Sequence, residues 1–202
     1  MIYKGVVYRN GIALFTNTDI ALPEFLLAVY RQFDFKYPKF YKMDNLSKLG
    51  WLASELLMQE GPKPGEYLPE EIGLVFSNAS ASLDTDIKYY DTVKEIASPA
   101  LFVYTLPNIV MGEICIRHKF KGENAFFISE AFDAAFIQQY VNNLFNNNTL
   151  QACICGWVEV LEDQYKTVLF LVENKQASGT NADDNKTFTI ENLLNIYQTE
   201  HG

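Results

Sequence analysis

Thiols, imidazoles and paired carboxylates are the groups in this 202-residue chain that could do chemistry, and they are sparse. The thiols are Cys115, Cys153 and Cys155, and the imidazoles are His118 and His201. Cys153 and Cys155 stand two apart in ACICGWVEV, a spacing that sets both side chains on one face of a strand and would supply half of a metal site. Neither histidine has companions at ligand spacing, so the two thiols read as small buried side chains, with neither metal nor cofactor expected. An odd number of cysteines without disulfide-framework spacing suits a reducing compartment. Glu130 and Asp133 flank a predicted strand-to-helix turn. Two such carboxylates can act as general acid and base when their surroundings separate their pKa values. The structural alternative is that Asp133 caps the helix beginning at Ala134, its charge facing the positive helix end.

Charge narrows the partners. A formal net charge of −9 disfavours general nucleic-acid binding, which needs a basic face to neutralise phosphates. The charge is uneven, however. Arg31, Lys36, Lys39, Lys42 and Lys48 crowd one stretch that holds only Asp34 and Asp44 as acids, and Arg117, His118, Lys119 and Lys121 form a second basic knot. Solvated surface is one reading of the first stretch, and a docking patch for an acidic partner is the other. The opening MIYKGVVYRNG alternates polar and apolar residues, unlike a secretory leader, and no apolar run reaches the roughly 20 residues of a membrane helix. A soluble cytoplasmic protein without membrane contact is expected.

The elements that must position these groups follow from periodicity. Ile2 to Arg9 and Ile12 to Phe15 read as strands around the turn-forming Asn10-Gly11. Pro23 opens a helix ending near Gln32, FDFKYPKFYK is an irregular connection, and Asn45 is a candidate cap for a helix with Leu46, Leu49, Ala53, Leu56 and Leu57 on its apolar stripe. Ile72 to Ser77 is a short apolar run suited to a buried strand. A helix follows from about Asp84 to Ile96, stopped by Ser98-Pro99. Pro107 opens another, through Ile116. Phe126 to Ile128 is a strand, and Ala134, Ile137, Val141, Leu144 and Phe145 mark the next helix face. Ala152 to Val160 and Thr167 to Val172 form a hairpin. Residues 173–186 have linker composition, and 187–202 read as a short strand and a terminal helix packing on the same domain. Alternating strands and helices give an α/β fold, a mixed, mostly parallel sheet flanked by helices, with one domain over 1–172. The chain shows neither an internal repeat nor a Gly-rich phosphate loop.

One segment carries a family likeness. Thr105, Leu106, Pro107 and Asn108, then Gly112, Glu113, Ile116 and Arg117, then Lys121, Gly122 and Asn124 keep an order and spacing that resembles β-ketoacyl synthases. In those enzymes a TLPN-like turn precedes a helix ending in GE-x-x-I-R, a KG-x-N turn and a strand. MDNLSKLGWLASELL, PEEIGLVFSNASASLD and CGWVEV resemble further family segments in the same order, so the likeness spans roughly residues 1 to 160. It implies a thiolase-like half-domain, the N-terminal half of a synthase.

The resemblance also locates what is missing. The family's nucleophilic cysteine sits on a sharp strand-to-helix turn, activated by the helix N-terminus and backed by two histidines from the C-terminal half. Counting back from Gly156 and Glu159 puts that position at Ala131. Its neighbours Glu130, Phe132, Asp133 and Ala134 offer no thiol or hydroxyl, and Ser129 falls two residues early. His118 matches no catalytic position, so the resemblance implies loss of the condensation chemistry. It further implies that Ala125, Phe126, Phe127, Ile128 and Ser129 form a strand pairing across a two-fold axis, in a homodimer or a heterodimer with an active ketosynthase. Chain-length-factor subunits are family members without the cysteine, although they keep both halves of the fold. Three functions remain: an accessory subunit in fatty-acid, polyketide or aryl-polyene biosynthesis; a module binding an acyl chain or acyl carrier protein through Arg31 to Lys48; and new chemistry at Glu130 and Asp133.

Overall fold

The computed structural model describes residues 1–63, 65–174 and 187–199. Three short strands come first, β1 (Ile2–Tyr3), β2 (Val6–Arg9) and β3 (Ile12–Thr16). Asn10 and Gly11 both take positive φ, 51° and 79°, which gives the β2–β3 hairpin a turn whose twist suits the strands. Helices α1 (Leu22–Gln32) and α2 (Asn45–Met58) follow, joined by a 3-10 turn at Pro38–Lys42 inside the stretch expected to be irregular. Asp44 rather than Asn45 caps α2, its carboxylate accepting from the Ser47 amide at 2.9 Å.

The fully buried β4 (Ile72–Asn78) leads to α3 (Leu83–Val93), α4 (Pro99–Phe102), α5 (Ile109–His118), β5 (Asn124–Ile128), α6 (Ala134–Asn146) and the long hairpin β6 (Ala152–Leu161) and β7 (Gln164–Glu173). The helix expected to reach Ile96 stops at Val93, and Ser98-Pro99 starts α4 as well as ending what precedes it. Ser98 caps α4 by accepting from Leu101, and proline fits a first helical turn because its missing N–H would be unpaired there. Last comes α7 (Ile190–Gln198), without the short strand expected before it. The expected linker falls, from residue 175 onward, outside the described residues.

All seven strands join one sheet in the order β3-β2-β1-β7-β6-β4-β5. Only β6–β4 and β4–β5 are parallel; every other pairing is antiparallel. The expectation of a mostly parallel sheet is therefore corrected to a mixed sheet with a parallel minority. Tight turns are the reason: Asn10-Gly11 and Glu162-Asp163 return the chain beside itself, which forces antiparallel neighbours, whereas parallel ones need helical crossovers. Two apolar layers cover the sheet. One packs α1, α2 and α5 against even-numbered β6 side chains such as Ile154 and Val158, and the other packs α6 and α7 against Cys153, Cys155 and Trp157. The alternation of β6 decides which residue meets which layer.

Candidate functional site

The chain leaves β4 toward α5 on one face of the sheet and leaves β5 toward α6 on the other. Adjacent parallel strands whose connections diverge in this way open a crevice beyond their carboxyl ends, where α/β proteins place their sites. Two loops meet here, residues 79–82 after β4 and 129–133 after β5, tied by Ser129 N–H donating to the Asn78 carbonyl at 2.9 Å. The turn singled out by sequence thus lies where the topology puts a site.

Its side chains point to structure rather than chemistry. Asp133 caps α6, its carboxylate accepting from the Phe136 amide at 2.9 Å, and Ser129 Oγ donates to the Ala131 carbonyl at 2.9 Å. Glu130 and Ala131 are exposed, while Phe132 is buried, with its ring centroid 4.7 Å from that of Tyr197 in a stacked pair and 6.3 Å from those of Trp157 and Phe170. The floor of the turn is therefore filled with four aromatic rings, the Tyr197 ring being contributed by α7. Lys166 Nζ donates to the Tyr197 carbonyl at 2.6 Å, and Gln138 donates to the Phe188 carbonyl at 2.7 Å, fixing α7 over the stack.

Across the crevice, Glu159 accepts from the amides of Ala79 at 2.6 Å and Ser80 at 3.3 Å through one carboxylate oxygen. Asn78 exchanges hydrogen bonds with the backbone of Ala81, which takes a positive φ of 50°. A glutamate from β6 thus takes up the backbone amides presented by the loop after β4. The tail tyrosine and this carboxylate are the residues of the site that sequence reasoning does not assign; the glutamate in CGWVEV is the visible signal of the second, and nothing local announces the first.

The motif residues on α5 form a second buried group. Glu113, 3% exposed, accepts from Tyr104 OH at 3.1 Å and pairs with Lys39 Nζ at 2.9 Å. Glu55 receives Arg117 through Nε at 3.1 Å and pairs with His118 Nε2 at 2.7 Å. Burial pushes the Glu55 carboxyl up, but the bonds from His118 and Arg117 outweigh it and hold the group below the usual range. The Arg117 guanidinium also lies 5.6 Å from the Tyr37 ring and 5.9 Å from Trp51. Glu113 and Arg117 therefore clamp the aromatic connection 33–42 onto α2 and α5. These contacts account for both as anchors.

The five cations of the basic stretch do not act alike. Lys39 is taken by Glu113, Lys36 pairs with Asp34, and Lys48 lies over the Phe40 ring at 5.9 Å, where burial lowers its pKa. Arg31 and Lys42 are exposed, and among the described residues no ion pair holds either. Cys153 and Cys155 share a fully buried face of β6, and burial pushes the Cys153 thiol up, away from thiolate chemistry. Among the described residues no cluster of three His, Cys, Asp or Glu converges on a metal position, and no helix is long and apolar enough to cross a membrane. The segment Ala125 to Ser129 lies at the sheet edge: β5 pairs with β4 on one side, and no described strand lies on the other.

A mixed α/β sheet of this kind, flanked by helices on both faces, is a fold shared with solved structures of ketosynthases and chain length factors. The ishigamide ketosynthase/chain length factor matches with a TM-score of 0.57 at 20% identity, over 68% of this chain and 46% of that one. A type II polyketide synthase acyl-carrier protein in complex with its ketosynthase bound to the hexaketide (AntDE:AntF) matches at 0.51 and 18%, over 64% of this chain and 38% of that one. The ketosynthase ApeO in complex with its chain length factor ApeC, from Xenorhabdus doucetiae, matches at 0.55 and 12%, over 88% of this chain and 84% of that one. The chain thus spans less than half the length of the first two, whereas the third is a chain of similar length. No protein-family description and no curated protein matches the sequence.

Proposed function

We propose that this chain is an accessory subunit without condensation chemistry of its own, which associates with a ketosynthase and acts on that enzyme's synthesis of polyketide, aryl-polyene or fatty acyl chains. The observation that carries the reading is the turn after β5. Ala131 occupies the position the resemblance gives to a nucleophile, and the space beneath is filled by Phe132 stacked on Tyr197. New acid–base chemistry at Glu130 and Asp133 would need Asp133 free to exchange protons with a substrate, and it is bonded to its own helix.

Association has a ready surface. Phe126 and Phe127 lie in β5, whose outer edge no described strand covers, and such an edge is a template for pairing with another chain. Two of the solved neighbours are complexes of a ketosynthase with its chain length factor, and one is matched along most of its length by this short chain. The test is native mass of the pure chain, alone and mixed with the full-length ketosynthase encoded nearest to it. A stable mixed complex is the expected result, and two species that ignore each other would refute the reading.

A second reading, a docking module for acyl carrier protein, draws on the neighbour that holds such a complex and on the exposed cations Arg31 and Lys42. Three of the five cations in that stretch have partners within the chain, so the subunit reading is preferred.

A further inference from the structure

Helix α3 is built inside out. Its two buried residues are the polar Asp84 and Thr85. Thr85 Oγ1 donates to Asp44 at 2.7 Å, and Asp84 accepts from the Glu162 amide at 3.1 Å and from Lys88 at 2.6 Å. Hydrogen bonds therefore seat the helix on the body, while its large apolar side chains face away. Ile87, Tyr90, Val93, Ile96, Phe102 and Leu106 are between 46% and 86% exposed. An amphipathic helix ordinarily turns such residues toward the core.

Residues 98–106 belong to the same surface. Phe102 meets Tyr89 with ring centroids 5.5 Å apart, the Ser98 amide donates to Thr92 at 3.0 Å, and Ser82 Oγ donates to the Thr105 carbonyl at 2.9 Å. At roughly 150–200 Å² per large side chain, the six named residues open on the order of 600 Å² of apolar surface. That equals the largest patch usual on a monomer and approaches the roughly 800 Å² that one partner gives to a standard interface.

Charge indicates the occupant. Lys88 and Lys94 are paired with Asp84 and Asp91, and among the described residues no ion pair neutralises Asp86 or Glu95. The rim is thus net acidic, in a chain of charge −9. Two copies meeting here would set like rims together, whereas a different chain with an apolar centre and a basic rim would complement both features.

We infer that the outward face of α3 and α4 is a second contact surface for the ketosynthase, beyond the β5 edge, an inference that rests on the association proposed above and extends it. The partner's matching surface is apolar and rimmed by lysine or arginine. Hot-spot behaviour concentrates in a few buried aromatic and aliphatic anchors, and Tyr90, Ile96 and Phe102 are the candidates here.

The test measures the affinity of the mixed complex for the native sequence, for the double substitution Ile87→Glu with Ile96→Glu, and for Ile12→Glu. Ile12 is 66% exposed and lies on the hairpin far along the sheet from β5, so it serves as the control. The expected result is a loss of at least 100-fold for the double variant, no change for Ile12→Glu, and tighter binding at lower salt. Deuterium uptake of the native chain, which needs no substitution, is expected to fall across residues 83–106 when ketosynthase is added. A mixed complex that survives the double substitution, without protection of 83–106, overturns this inference and leaves the association standing. Absence of any mixed complex overturns both, and self-association abolished by the double substitution overturns the choice of a different partner.

Discussion

Removing the ring of Phe132 tests whether the turn after β5 is a filled structural joint. Phe132 is 6% exposed and touches three other rings, so Phe132→Ala loses the transfer energy of the ring and leaves a cavity against β6, β7 and α7. Buried Phe→Ala changes cost about 3–5 kcal/mol. The lower part of that range is expected here, about 3 kcal/mol, because α7 is a terminal helix able to settle inward. Tyr197→Ala alone should cost about 2 kcal/mol, since the ring is only part-buried. The stacked pair adds a coupling of about 1 kcal/mol, so the double variant should be destabilised less than the two single costs together. Urea unfolding of the four proteins, followed by tryptophan fluorescence from Trp157 beside the stack, measures each term. A coupling below about 0.3 kcal/mol, or a Phe132→Ala cost below 1 kcal/mol, would show that the turn is open and would remove the main support for a site without chemistry.

Asp133→Ala should cost about 1 kcal/mol of stability through the lost cap of α6 and leave any mixed complex with ketosynthase intact; urea midpoints and native mass report the two effects. Glu55→Gln should cost on the order of 2–3 kcal/mol at pH 7, short of a deep-interior pair because Arg117 keeps contact with water. The folded Glu55 carboxyl titrates below its ordinary value, so its contribution is complete above the unfolded pKa of about 4.3 and is lost as pH falls through the folded value. Thermal melts between pH 7 and 3 should therefore show a steeper acid loss for the native chain than for Glu55→Gln. Installing a thiol by Ala131→Cys should give an exposed cysteine that alkylates like a free one but accepts no acyl group from an acyl thioester, as mass spectrometry of the incubated protein would show. Reversing Arg31 and Lys42 to glutamate should leave ketosynthase binding unchanged, and a loss of binding on titration with acyl carrier protein would favour the second reading.

Local signals in the sequence were decisive where one residue type dictates one conformation. Asn10-Gly11 made a hairpin, Pro23 marked the start of α1, and the apolar face of α6 was set by Ile137, Val141 and Leu144. The turn at Glu130 to Asp133 was legible too, because its spacing from CGWVEV is short. Non-local pairing was not. Nothing in Ile2–Tyr3 shows that it seats against β7, and that pairing, with the Glu162-Asp163 turn, made the sheet mixed rather than mostly parallel. The partners of Lys39 and Arg117 were likewise out of reach, since Glu113 and Glu55 lie 74 and 62 positions away and buried ion pairs follow from packing rather than periodicity. The inverted face of α3 escaped for a related reason: its apolar residues look like an ordinary core stripe until their burial is known.

Strand β1 meets β7 at Ile2 with Thr167, and the Gly5 amide donates to Tyr165 across 160 positions of sequence. At roughly 5–20 residues per second, the ribosome needs on the order of 10–30 s to produce the second partner after the first has emerged. Throughout that interval Phe25 of α1 lacks the Tyr165 ring that lies 6.1 Å from it in the finished molecule. Local helices can form at once, but the sheet closes only after β7 has emerged, so this fold has the slow, high-contact-order kind of folding. Strands β1 to β3 and helix α1 are consequently the elements that wait longest for their partners, and shielding them from wrong contacts in that interval favours the yield of folded protein.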